Sequence, residues 1–133
     1  MKVKGRGIAK GVASGEVLLS KEAISFLGGV DPKSGKVVEK GHPLEGKSIA
    51  GKVLVFPRGK GSTVGTYVIF QLKKNGKAPA AIVNVESEII VAVGAILAEI
   101  PMIDMLEGDG YARLKNGMKV KVDGSGGFVE VGP

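Results

Sequence analysis

The segment Leu54-Val55-Phe56-Pro57-Arg58-Gly59-Lys60-Gly61-Ser62-Thr63-Val64-Gly65 restricts the fold more than any other part of the chain. Val53–Phe56 is short and wholly apolar, the pattern of a strand buried on both faces. Pro57 stops it, and a loop follows with two cations, two glycines and a Ser-Thr pair. Val64, Val68 and Leu72 then recur at i, i+4 and i+8, with Tyr67 at i+3, which predicts a helix with one apolar face. Ser62 is placed to cap that helix, and Lys73, Lys74 and Asn75-Gly76 to close it. Ala80-Ala81-Ile82-Val83-Asn84 reads as a second buried strand. The result is a β-loop-α-β unit with a right-handed parallel crossover, and hence an α/β fold.

The flanking sequence adds strands more than helices. Residues 3–20 predict two short strands between glycines, with Ser14-Gly15 as a turn. Residues 23–27 form a brief apolar segment that ends at Gly28-Gly29, a glycine pair suited to a loop lying over a site. Asp31-Pro32-Lys33-Ser34-Gly35 spells a turn. Ser87-Glu88 can cap a segment over 89–97, whose Ile and Val favour strand while its Ala favour helix. A helix stopped near Glu99 by Ile100-Pro101 is the reading adopted, followed by a strand at Met102-Ile103. Turn signals at Glu107-Gly108-Asp109-Gly110, Asn116-Gly117 and Asp123-Gly124-Ser125-Gly126 then separate strands predicted at 111–114, 118–122 and 128–131. The prediction is one β-rich domain over residues 1–133 with two or three helices.

Composition removes several classes of chemistry. With no cysteine among 133 residues, the chain offers no thiolate nucleophile and no cysteine ligand for zinc or an iron–sulfur cluster. His42 is the only histidine, so no multi-histidine site is available. No apolar stretch follows Met1-Lys2-Val3-Lys4-Gly5, so no signal peptide is expected. No uncharged run approaches the ~18 residues that span a bilayer, and the expectation is a soluble cytoplasmic protein with no membrane partner. The net charge of +6 is spread along the chain. It lacks the clustered Arg/Lys and exposed aromatics of a nucleic-acid surface, and it favours a small anionic ligand or an acidic partner. Few Asn and Gln beside many Lys and Glu point weakly to a heat-adapted source.

Two phosphate motifs are present in letters only. Gly41-His42-Pro43-Leu44-Glu45-Gly46-Lys47-Ser48 matches G-x-x-x-x-G-K-S, but that motif needs a helix directly after it. Gly51, Pro57 and the β-branched residues between them predict strand instead. Gly59–Gly65 resembles a dinucleotide fingerprint with its last glycine one residue late. A strand, a cationic glycine loop and a helix start still suit a small anion. The amides of Gly59, Gly61 and Ser62 can converge on it, Arg58 can grip it bidentately, and Lys60 adds a mobile charge. In that field Ser62 is either a helix cap or a hydroxyl poised for proton transfer. No Ser-His-Asp set accompanies it, so a hydrolase has no support.

The stretch 26–31, the whole of 53–65, Ala78-Pro79-Ala80-Ala81-Ile82, and Gly94-Ala95-Ile96 with Ile100-Pro101-Met102 resemble the small, swivelling-domain subunit of the aconitase X family. The resemblance covers nearly the whole chain and is most specific in 53–65. It implies a swivelling β/β/α domain that closes on a larger, cysteine-bearing subunit holding an iron–sulfur cluster. It further implies dehydration of (R)-5-phosphomevalonate to trans-anhydromevalonate 5-phosphate in an archaeal mevalonate pathway, with Ser62 removing the proton beside the carboxylate. Substrate contacts are expected from Arg58, Lys60, Gly61 and Thr63; Arg58 and Lys60 rest on their charge, not on the family. Hydroxyproline dehydration is the alternative within the family, and a non-catalytic swivelling interaction domain the alternative outside it. A phosphohistidine carrier would need a histidine where Ser62-Thr63 stand.

Overall fold

A computed structural model describes residues 1–131. In chain order the elements are β1 (Lys2–Lys4), β2 (Arg6–Ala9), β3 (Val12–Leu19), β4 (Ile24–Ser25), a single irregular turn α1 (Phe26–Gly29) and β5 (Val53–Phe56). After these come β6 (Gly59–Lys60), α2 (Gly65–Lys74), β7 (Ala81–Asn84), α3 (Ile89–Leu97) and β8 (Met102–Asp104). A 3-10 turn at Gly110–Arg113, β9 (Lys119–Asp123) and β10 (Phe128–Val131) complete the described chain.

Eight strands form one sheet in the order β1-β10-β9-β3-β5-β7-β8-β2, and β4 pairs with β6 in a separate two-stranded piece. The sheet changes character at β3. From β1 to β3 every pairing is antiparallel, whereas β3-β5, β5-β7 and β7-β8 are parallel. The parallel pairs are the expected crossover unit.

Alternation along β5 explains the layering. Val53 and Val55 join an apolar cluster with Val17, Val83, Ile103, Val122 and Val129, drawn from both halves of the sheet, so the halves face each other across it. Leu54 and Phe56 point the other way, into a second cluster with Ile69, Leu72, Val91 and Ala95 of the helices. A strand covered on both faces needs apolar residues at every position, and this one separates a sheet-on-sheet core from a sheet-on-helix core. The architecture is the expected β/β/α arrangement.

Several sequence expectations are corrected. Residues 3–20 hold three strands, not two: β1 and β2 lie at opposite ends of the strand order, with only Gly5 between them. The Gly5 amide donates to Gly127 O at 2.8 Å, which carries the β1–β10 pairing one residue further before the chain turns into β2. The segment 111–114 is not a strand. Its Tyr111 hydroxyl donates to Asn84 O and accepts from the Leu106 amide at 3.3 Å, which ties the segment down as a 3-10 turn. Asn116-Gly117 therefore joins no hairpin; the hairpin is β9–β10, where Asp123 Oδ1 accepts from the Gly126 amide at 2.7 Å.

The buried face of α2 is Gly65, Val68, Ile69 and Leu72, whereas Val64 and Tyr67 are exposed. The helix begins later and is rotated relative to the predicted apolar face. In α3 the helical reading holds, with Glu88 as cap: its carboxylate accepts from the amides of Ile90 at 2.8 Å and Val91 at 2.9 Å.

Candidate active-site loop

The loop after β5 is built by backbone constraints. Pro57 O accepts the amides of Val85 at 3.0 Å and Glu86 at 3.3 Å, which turns the chain away from β5. Gly59 and Lys60 then run parallel to Ile24 and Ser25 as β6. Gly59 is buried, and a Cβ there would come within 2.5 Å of Glu88 Oε1. Gly61 has φ +87°, a backbone state that favours glycine.

Ser62 and Thr63 are exposed at the top of this loop. Ser62 Oγ accepts from the Val64 amide at 3.1 Å, and Ser62 O from Gly65 at 3.0 Å. Ser62 therefore closes the turn ahead of α2 and is not its N-cap. That position falls to Val64, which makes no side-chain cap bond. The serine thus lies outside the helix ladder, beside the helix start.

The structure brings Arg58, Lys60, Gly61, Ser62 and Thr63 onto one short loop and distinguishes their charges. Arg58 makes no side-chain hydrogen bond or ion pair among the described residues. Lys60 Nζ, by contrast, lies 3.2 Å from Glu39 Oε2. The amides of Gly61, Ser62 and Thr63 donate to no protein acceptor among the described residues. Unpaired amides beside a helix start and a free guanidinium make an anion-accepting surface.

Three neighbours of the loop were not expected there from the sequence. Ser25, on β4, sits against Gly61; Glu39 pairs with Lys60; Glu88 caps α3 and lies over Gly59. Only the Glu88 capping pattern was recognisable. The glycine turn expected over the site is indeed close, with Phe26 Cβ 3.6 Å and Leu27 N 3.7 Å from the point a Gly65 Cβ would occupy.

His42 and the phosphate-loop look-alike lie elsewhere and are chemically committed. His42 is buried; its Nε2 lies 3.1 Å from Ala23 O and its Nδ1 accepts from Leu44 N at 3.0 Å. The Gly41 amide binds Glu45 Oε1, Gly46 binds Val37 O, and Lys47 binds Leu44 O. No helix follows Ser48. With its amides already bonded, this segment cannot cradle a phosphate as the motif would require.

The loop offers no ligands for a metal cluster. The chain has no cysteine, and among the described residues no group of three or more His, Cys, Asp or Glu side chains could hold a metal ion. An iron–sulfur cluster finds no ligand set here. Among the described residues, no helix is long and apolar enough to cross a membrane.

The fold thus sets a glycine-cation loop with an exposed serine between a doubly buried parallel strand and a helix on a β/β/α frame. The chain belongs to the aconitase X swivel domain family, whose model matches residues 2–131. It is 63% identical to the phosphomevalonate dehydratase small subunit of Methanosarcina acetivorans over 131 residues, covering 98% of this chain and 91% of that protein. It is 55% identical to the phosphomevalonate dehydratase small subunit of Pyrococcus furiosus over 131 residues, 98% of this chain and 96% of that one. Its fold superposes on the crystal structure of Thermococcus kodakaraensis aconitase X (holo-form) with a TM-score of 0.94 at 56% identity, covering 100% of this chain and 99% of that chain.

Proposed function

We propose that this chain, as one swivelling domain over residues 1–133, is the small subunit of a cytoplasmic hydro-lyase that dehydrates (R)-5-phosphomevalonate to trans-anhydromevalonate 5-phosphate. The observation that carries the reading is the exposed Ser62 hydroxyl beside three unpaired amides, on a chain closely similar over nearly its whole length to phosphomevalonate dehydratase small subunits. A larger, cysteine-bearing subunit supplies the rest of the site. The iron–sulfur cluster implied for the complex belongs to that subunit, because this chain has no ligands for it.

The chemistry assigned to this chain is proton removal. Ser62 Oγ takes the proton from the carbon next to the substrate carboxylate. The C–H electron pair forms the new C=C bond, and the hydroxyl on the neighbouring carbon leaves with the C–O electron pair as water, its proton supplied by an acid of the larger subunit. A serine hydroxyl is too weak an acid to be an alkoxide in water, so its surroundings must favour the anion. The Val64 amide already donates to Oγ, and Arg58 adds positive charge on the same loop. Arg58, Lys60 and the amides of Gly61 and Thr63 are assigned to the substrate's anionic groups.

Reconstitution with the large subunit under anaerobic conditions tests the reading. The complex should dehydrate phosphomevalonate, and Ser62→Ala should lower turnover by about 10²–10⁴-fold while assembly is retained. Turnover of hydroxyproline in place of phosphomevalonate would move the assignment within the family. Comparable turnover by the Ser62→Ala complex would place the base elsewhere.

A further inference from the structure

We infer that Glu39 is a positioning residue that sets how strongly the serine loop holds an anion, by competing with that anion for the Lys60 ammonium. The inference rests on the function proposed above and adds a residue to it.

Glu39 comes from the long connection between α1 and β5, far from the loop in sequence. The backbone that leads into it is nonetheless held in place. Flanking Val37 is buried and bonded through its amide to Lys47 O at 2.9 Å, and the Val38 amide donates to Gly29 O at 2.8 Å. Glu39 Oε1 lies 3.3 Å from the point a Gly29 Cβ would occupy, so the carboxylate rests over the glycine turn. Its other oxygen meets Lys60 Nζ at 3.2 Å, with the two side chains 31% and 48% exposed.

The loop thus presents two cations in different states. Among the described residues Arg58 is unpaired, whereas Lys60 already has a carboxylate. A half-exposed pair of this kind is weak. An anion that also receives the Gly61, Ser62 and Thr63 amides and Arg58 can displace Glu39 from Lys60. The charged Glu39 carboxylate occupies the ammonium that the incoming anion would otherwise receive. Removing its charge while keeping its shape should strengthen anion binding through Lys60.

The test uses the two-subunit complex at fixed ionic strength, with inorganic phosphate and the phosphorylated hydroxy acid as probes. Glu39→Gln should lower the Kd for phosphate and the KM for the substrate by about two- to fivefold, with a much smaller change in kcat. Lys60→Met should raise both constants, and Glu39→Gln added to Lys60→Met should produce no further gain. The inference is overturned if Glu39→Gln leaves binding unchanged or weaker, if its gain survives without Lys60, or if phosphate binds no variant. Failure of the proposed function looks different: the wild-type complex would not turn over the phosphorylated acid, while phosphate titration would still report on Glu39.

Discussion

Ser25 Oγ stands 2.6 Å from the point that a Cβ on Gly61 would occupy. The two residues belong to segments that meet only because β4 and β6 pair, with Ser25 in register with Lys60. Gly61 also has φ +87°. The position next to the proposed base therefore disfavours a side chain by backbone conformation, and a Cβ there would also have to turn the Ser25 hydroxyl aside.

Gly61→Ala should misplace Ser62 without dismantling the domain. An alanine in this backbone state costs on the order of 1–3 kcal/mol. A displacement of the loop by about 1 Å can lower turnover about a hundredfold. Thermal unfolding and steady-state rates of the reconstituted complex measure the two effects. Undiminished turnover would show that the loop tolerates the shift.

Arg6 and Asp104 make the second testable pair. They join β2 to β8 by a two-pronged contact of 2.9 and 2.7 Å, and Asp104 Oδ2 also accepts the Ser87 amide at 2.8 Å. Burial acts to raise the Asp104 pKa, but the Arg6 fork and the Ser87 amide outweigh it and hold the carboxyl below its ordinary value. A depressed folded-state pKa stabilises the fold above the unfolded carboxylate pKa and loses that contribution as pH falls through the folded value. Arg6→Ala leaves a buried carboxylate without its cation and should destabilise the fold at neutral pH. The gap between wild type and variant should narrow in urea titrations below about pH 4. A gap that widens on acidification would contradict the assignment.

The helix layer depends on a missing side chain. A Cβ on Gly94 of α3 would come within 2.7 Å of Ile69 Cδ1 and 3.1 Å of Ile69 Cβ, and Ile69 is fully buried in α2. Gly94→Ala should overpack this crossing and destabilise by about 1–3 kcal/mol. Ile69→Val removes Cδ1 and should recover part of the loss, so a double-mutant cycle should show favourable coupling. Additive losses would mean that the helices shift apart freely.

Glu99 offers a stabilising change. It follows α3 with φ +55°, while the Ile100 amide donates to Ala95 O at 2.9 Å and the Glu99 amide to Ile96 O at 3.2 Å. The end of α2 has the same hydrogen-bond pattern with Gly76 at the left-handed position. Glu99→Gly should raise stability by about 0.5–1 kcal/mol, read as an increase in Tm. A decrease would show that the glutamate makes a compensating interaction.

Local pattern was sufficient wherever one short segment meets one kind of environment. The wholly apolar Val53–Phe56 has the pattern of a strand covered on both faces, and it is one. Ser87-Glu88 marked the start of α3 against the strand preference of its isoleucines and valines. It misled where a remote contact decides the outcome. Tyr111 has strand propensity, yet its hydroxyl is captured near Asn84 and the segment turns. Ser62 has the chemistry of a cap, yet α2 begins at Gly65.

Sequence alone determined the β-loop-α-β centre, the absence of any cysteine ligand, and the identity of the loop residues, because each depends on side-chain chemistry within a few positions. Tertiary structure alone decided that β1 and β2 end at opposite edges of the strand order, that Ser25 packs against Gly61, and that Glu39 reaches Lys60. Those relationships arise when the sheet folds over and the long connection returns across β4 and β6. Nothing within a few residues of either partner encodes such an approach; it follows from the closure of the whole chain.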